Sequence, residues 1–199
     1  MNKKVLFITD SLADLDLKKD TSILMMEESI KLGFDVYQCL VEDLYAENSE
    51  VIVFAKKITT VSTSEIKFED ASTHSIKTFE YSFMRKDPPV DEDYINALHL
   101  LGLAQAMGTK VFNNPVSIKE FNEKVFAIHF AKYIPETLIS SKIDKIKRFI
   151  KDKKEIVVKP LDGMGGKSIY KMDKIQESEI ETLLKMTNNE STQIITQEF

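Results

Sequence analysis

The chain has 199 residues, 43% of them hydrophobic and 30% charged, and carries a formal net charge of −5. This composition excludes a disordered chain and supports about one and a half to two structural units with a real core. The acidic balance excludes nucleic acid or an anionic membrane as the main partner, because either demands a basic surface.

Val5 to Ile8 reads as a buried parallel strand. No apolar run reaches membrane-spanning length, and the opening Met1-Asn2-Lys3-Lys4 leads into an apolar stretch too short for a signal-peptide core, so a cytoplasmic protein is expected. After a mixed-charge loop (Asp10, Asp14, Asp16, Lys18, Lys19), Asp20 is placed to cap a helix running to about Lys31. Ile23, Leu24, Glu27 and Ile30 give that helix one apolar face, and Gly33 ends it. Phe34 to Leu40 follows as a second strand, so the opening is β-α-β, the unit of a parallel sheet with a right-handed crossover. Cys39, the only cysteine, is expected in the core of this strand; alone, it excludes an internal disulfide or a thiolate metal cluster. His74, His99 and His129 have no metal-ligand spacing and are read as structural or surface residues.

From Leu44 to Phe83 the pattern becomes short and β-branched, with Val51 to Phe54 and Ile58 to Val61 read as separate strands of an antiparallel insertion. Tyr81 to Met84 is a further strand, followed by a turn at Asp87-Pro88-Pro89, a helix from about Glu92 to Met107 and a strand from Lys110 to Asn113. Beyond Pro115 the expected elements are a short helix capped by Ser117, a second capped by Asn122 and running to Tyr133, and a strand at Thr137 to Ser140. An amphipathic helix from Lys142 to Lys153, a strand ending at Val158, a return strand at Ser168 to Tyr170, a helix from Glu177 to Thr187 and a strand from Thr192 to Thr196 complete a β-α-β-β-α-β order. The fold class is therefore α/β: an open Rossmann-like domain over residues 1–121, then an α+β unit over 122–199.

The segment "KPLDGMGGKS", residues 159–168, places glycines and lysines after the apolar run Ile156-Val157-Val158. A P-loop would need glycine at position 161, which is Leu161; a dinucleotide fingerprint would need it at 168, which is Ser168. What remains is a hairpin with a glycine-rich tip, either a plain turn or a flap offering N–H groups to a phosphate.

Four separated segments give this hairpin a context. Asn113-Asn114-Pro115, Asn122-Glu123-Lys124, Pro135-Glu136-Thr137 and Lys159-Pro160-Leu161-Asp162-Gly163-Met164-Gly165-Gly166 together resemble the ATP-grasp ligases. "MRKDPPVD" at 84–91 and "LDLKKDTS" at 15–22 make the chain similar, within that superfamily, to the bacterial glutathione synthetases over essentially its whole length. The resemblance implies a pre-ATP-grasp substrate domain followed by the N-terminal part of an ATP-grasp domain. It implies ATP held by Lys124, Lys159, the tip Gly163, Met164, Gly165 and Gly166, and a hinge Gln197-Glu198-Phe199 whose backbone reads the adenine edge. Arg85 and Lys86 would lie near the carboxylates of a peptide substrate, although pairing of Arg85 with Asp87 or Asp91 is the structural alternative. Lys167 has no such support. The implied reaction joins γ-glutamylcysteine to glycine through an acyl phosphate, with Mg²⁺ as a second cofactor and no side-chain nucleophile. The family's magnesium ligands are expected beyond Phe199, so the chain is expected to be a truncated, by itself inactive part of such an enzyme; a different acceptor is the alternative. Members of this kind often assemble, so a homo-oligomer is the expected state if any.

Overall fold

The computed structural model describes residues 2–153, 155–163, 166, 168–173 and 176–199. It divides into two compact units, 1–120 and 121–199.

The first unit is built around β1 (Lys4–Ile8), whose neighbours β2 (Asp35–Cys39) and β7 (Tyr81–Met84) both run parallel to it. Its unbroken apolar run is explained by burial on both faces. Leu6 and Ile8 point into a core completed by Tyr94, Leu98 and Leu101 of α2 (Glu92–Ala106), while Val5 and Phe7 point into a second core with Ile23 and Met26 of α1 (Thr21–Lys31). Both helices start where an aspartate caps them: Asp20 accepts from the Ser22 N–H and Asp91 from the Tyr94 N–H. Gly33 leaves α1 at φ +83°, a conformation few other residues adopt.

The sheet continues through β3 (Leu44–Glu47), β4 (Glu50–Val61), β5 (Ile66–Phe68), β6 (Ser72–Ser75) and β8 (Val111–Phe112). Its order is β3-β4-β2-β1-β7-β8, with β5 and β6 also on β4. The insertion is antiparallel, but the two strands expected at 51–54 and 58–61 are one strand of 12 residues. Its apolar alternation slips in the middle: Val51, Val53 and Ala55 serve the first core, and Ile58 and Val61 the second. Lys57 at the slip is held in the sheet by Asp35, 3.1 Å away. The next helix, α3 (Pro115–Glu120), is capped by Asn114, which accepts from the Val116 and Ser117 N–H groups; Ser117 lies inside it. Proline suits the first helical position because its missing N–H has no partner there.

In the second unit Asn122 caps α4 (Glu123–Phe126), which gives way to a 3-10 segment, Ala127–Tyr133, with a break at Phe130, so the single helix expected there is divided. The remaining elements are β9 (Thr137–Ser140), α5 (Ile143–Lys153), β10 (Ile156–Pro160), β11 (Tyr170–Met172), α6 (Glu177–Met186) and β12 (Ile194–Glu198). The strands form an antiparallel sheet in the order β11-β10-β12-β9. One face carries Ile156, Val158, Met172 and Ile194 and packs against Ile146 and Ile150 of α5 and Leu183 of α6. By strand alternation, Thr137, Ile139, Val157, Lys159, Lys171, Ile195 and Gln197 belong to the opposite face. The last strand ends two residues later than expected, so Gln197 and Glu198 are strand residues.

Candidate functional site

In the first unit the chain leaves β1 for β2 on one side and later returns to β7 on the other. The carboxyl ends of β1 and β7 therefore mark the reversal of strand order, where open α/β sheets bind ligands. Asp10 follows β1 there and Arg85, Lys86 and Asp87 follow β7. The Lys86 ammonium lies 2.6 Å from the Asp10 carboxylate, which also accepts from the Asp87 N–H at 2.9 Å. Lys86 further donates to the Asp87 carbonyl at 3.0 Å, and Tyr94 to the Lys86 carbonyl at 3.3 Å. Arg85 turns to the start of α1, donating from Nη2 to the Thr21 hydroxyl at 2.7 Å and from Nε to the Ser22 hydroxyl at 3.4 Å. Its hydrogen bonds go to neutral hydroxyls, and not to Asp87 or Asp91. Partial burial, with Asp10 and Asp20 nearby, raises the Asp87 carboxyl above the usual carboxylate range; burial likewise raises the Tyr94 phenol.

In the second unit the face of the sheet turned away from α5 and α6 carries a row of hydrogen bonds. Lys159 Nζ donates to Gln197 Oε1 at 2.9 Å, Gln197 Nε2 to Thr137 Oγ1 at 3.0 Å, and the Thr137 hydroxyl to the Pro135 carbonyl at 2.8 Å. The lysine and the amide are diagonal neighbours on adjacent antiparallel strands, within reach of long side chains. At the base of the glycine hairpin, Lys124 Nζ donates to the carbonyls of Leu161, at 3.3 Å, and Gly163, and lies 3.5 Å from Glu123. Asn122 caps α4 with Oδ1 and with Nδ2 donates to the same Leu161 carbonyl at 3.1 Å. The hairpin base is thus tied to α4 through two side chains and two carbonyls. Gly166 lies at φ +76°, a requirement for glycine at that point of the tip. Met164 and Gly165 of the expected flap, and Lys167, lie outside the described residues.

The structure brings Lys159 and Gln197 together, and places Lys124 on the hairpin base through the Leu161 and Gly163 carbonyls. At the end of β12, the Glu198 N–H donates to the Glu136 carbonyl at 2.9 Å and the Phe199 N–H to the Glu155 carbonyl at 3.2 Å, so both are already engaged. The Phe199 ring lies under the Lys171 ammonium, 3.7 Å from ring centre to nitrogen. Three features were not picked out by sequence reasoning: Asp10 as the anchor of Lys86, the second hydrogen bond of Asn122, and the Gln197 side chain with Thr137. Only Asp10 carried a signal, as the residue just beyond the carboxyl end of the first strand.

This face offers ammonium and amide groups, which fit phosphate oxygens and not a divalent cation. Among the described residues no three His, Cys, Asp or Glu side chains gather where they could hold a metal ion, and no helix is long and apolar enough to cross a membrane.

Comparison with solved structures defines the class. The chain superimposes on the D-cycloserine synthetase DcsG with a TM-score of 0.62 at 16% identity, covering 98% of this chain and 59% of that one. It superimposes on D-alanyl-alanine synthetase A from Vibrio cholerae with a TM-score of 0.59 at 12% identity, covering 100% and 60%, and on a RimK domain ATP-grasp protein from Sphaerobacter thermophilus with 0.61 at 14%, covering 98% and 63%. The fold is that of an ATP-grasp protein with its preceding α/β domain. Residues 3–119 match the prokaryotic glutathione synthetase N-terminal domain and residues 123–199 the prokaryotic glutathione synthetase ATP-grasp domain. The chain belongs to the prokaryotic glutathione synthetase family. It is 33% identical to the glutathione synthetase of Neisseria meningitidis serogroup A over 192 residues, 92% of this chain and 60% of the relative. With the glutathione synthetase of Vibrio vulnificus strain YJ016 it shares 31% over 198 residues, 98% and 62%. The chain thus spans about 60% of the length of these relatives.

Proposed function

We propose that this protein serves ATP-dependent synthesis of glutathione, with ATP phosphorylating the cysteinyl carboxylate of γ-glutamylcysteine and the amine of glycine displacing phosphate from the acyl phosphate. The observation that supports this reading best is the presence, in a chain of this family, of a partly exposed lysine on the sheet together with a second lysine at the base of a glycine hairpin. Two ammonium groups on different elements suit a phosphate chain, since phosphoryl transfer depends on positioning and charge neutralisation and needs no protein nucleophile. Gly163, Met164, Gly165 and Gly166 would close over the β- and γ-phosphates, and the backbone of Gln197, Glu198 and Phe199 would border the adenine, leaving the Gln197 side chain to Lys159 and Thr137. Magnesium would accompany the nucleotide; the described residues assign no side chain to it.

In the first unit Arg85 is the better candidate for the carboxylates of the peptide substrate. The Lys86 charge is neutralised by Asp10, whereas the Arg85 fork is held by hydroxyls that a carboxylate can replace with bidentate, charge-assisted bonds.

The test is ADP release with Mg-ATP and neither, either or both of γ-glutamylcysteine and glycine, beside equilibrium binding of ATP. ADP that forms only with both substrates supports the ligase. Turnover with another amine in place of glycine changes the acceptor and keeps the class. Failure to bind ATP overturns the nucleotide reading.

A further inference from the structure

We propose that Gln197 and Thr137 are positioning residues that aim the Lys159 ammonium, acting through their side chains and not as contacts of the nucleotide itself. The inference rests on the reading of Lys159 as a phosphate-binding group and deepens it.

A lysine at the end of a four-carbon stem is a poor fixed electrode, because it surrenders considerable rotamer freedom when held in one place. Here the restraint comes from neighbouring strands. Lys159 on β10 reaches diagonally to Gln197 on β12, which reaches across to Thr137 on β9, whose hydroxyl ends on the Pro135 carbonyl. The sequence of donors gives the row a direction. The Pro135 carbonyl only accepts, so Thr137 spends its single proton there and offers its lone pairs to Gln197. That offer selects the amide orientation in which the NH₂ faces Thr137 and the carbonyl faces Lys159; the flipped amide would turn its NH₂ toward an ammonium.

The acceptor is neutral, which matters for a phosphate ligand. Gln197 holds one of the three ammonium donors and leaves the charge intact; among the described residues no other hydrogen bond takes the remaining two. A carboxylate in its place would neutralise the lysine and repel the phosphate.

The experiment is a double-mutant cycle on the full chain, with ATP and adenosine affinities measured for the wild type, Q197M, T137V, T137S, K159M and Q197M/K159M. Q197M is expected to weaken ATP by about three- to tenfold, the value of one modest hydrogen bond, and adenosine hardly at all. T137V follows in the same direction and T137S restores the wild-type value. In the K159M background Q197M produces no further loss, as required of a residue that acts through the lysine. Additive losses in the double variant, or equal losses for ATP and adenosine, overturn the positioning role. The Lys159 ammonium ¹⁵N–¹H resonance supplies a readout free of nucleotide: it is expected to be protected from exchange in the wild type and T137S and lost in Q197M. If K159M binds ATP as the wild type does, the role of Lys159 in nucleotide binding fails while the ammonium resonance still decides whether Gln197 and Thr137 hold it. An unprotected resonance in the wild type overturns the proposal outright.

Discussion

Lys159→Met is the most informative single change, because methionine keeps the apolar stem of the lysine and removes only the ammonium. Lys159 is partly buried on β10 and one of its donors is engaged by Gln197 at 2.9 Å, which leaves donors for a phosphate oxygen. A hydrogen bond to a charged group contributes about 1.5–3 kcal/mol, so loss of one such contact weakens ATP by about 10- to 150-fold. The fold should suffer less. Gln197 Oε1 loses its partner, but Gln197 is only partly buried, so the cost in stability is about 0.5–1.5 kcal/mol. The assay is parallel titration with ATP and adenosine, and the expected result is a loss confined to ATP. Unchanged ATP affinity returns Lys159 to an ordinary surface cation, and an equal loss for both ligands shows that the change disturbs the sheet instead of the phosphate contact.

Other expectations concern groups inside each unit. Glu190 caps α5 from a distant loop, its carboxylate accepting the Ile143 N–H at 2.8 Å; Glu190→Ala should destabilise the second unit by about 1 kcal/mol, read by denaturant titration, with Glu190→Gln recovering most of the loss. The Cys39 thiol is fully enclosed and pushed well above its usual range by burial, with Asp43 and Glu42 adding to the shift. It should resist alkylation at neutral pH until the chain is unfolded, and rapid labelling of the native protein would contradict the packing of β2. The Asp87 carboxyl is raised in the folded state, so the folded chain binds more protons than the unfolded one and this group lowers stability as pH rises through the window between its ordinary and raised values. Asp87→Asn should therefore stabilise the protein at neutral pH and lose that advantage as pH falls through the carboxylate range; an advantage that persists in acid has another origin.

The first unit was the more legible part of the sequence, for a physical reason. Val5 to Ile8 is apolar at every position, which a strand tolerates only when both faces are covered, and Asp20 announces one of the two covering helices by its cap. The division of Glu50–Val61 into two strands failed because its inward face changes from one core to the other near Lys56 and Lys57, so neither simple alternation covers all of it. At Ser117 the local chemistry of a hydroxyl was correct for a cap, but Asn114, three residues earlier and followed by proline, is the better one.

The candidate site was legible by type of residue and not by partnership. Lys159 stands out beside a glycine-rich stretch and Lys124 only as part of Asn122-Glu123-Lys124, but that Lys124 spends its donors on the Leu161 and Gly163 carbonyls depends on how the hairpin folds back on α4, which no local pattern encodes. The end of β12 makes the same point more sharply. Gln197 and Glu198 read as residues leaving a strand because they are polar, yet Gln197 is acceptable in the sheet because Lys159 and Thr137 satisfy its amide from the two flanking strands. A polar residue on a partly buried sheet face is stable only where its neighbours complete its hydrogen bonds. Its presence there therefore depends on the lysine it holds, and the misplaced strand boundary and the positioning of the ammonium have one common cause.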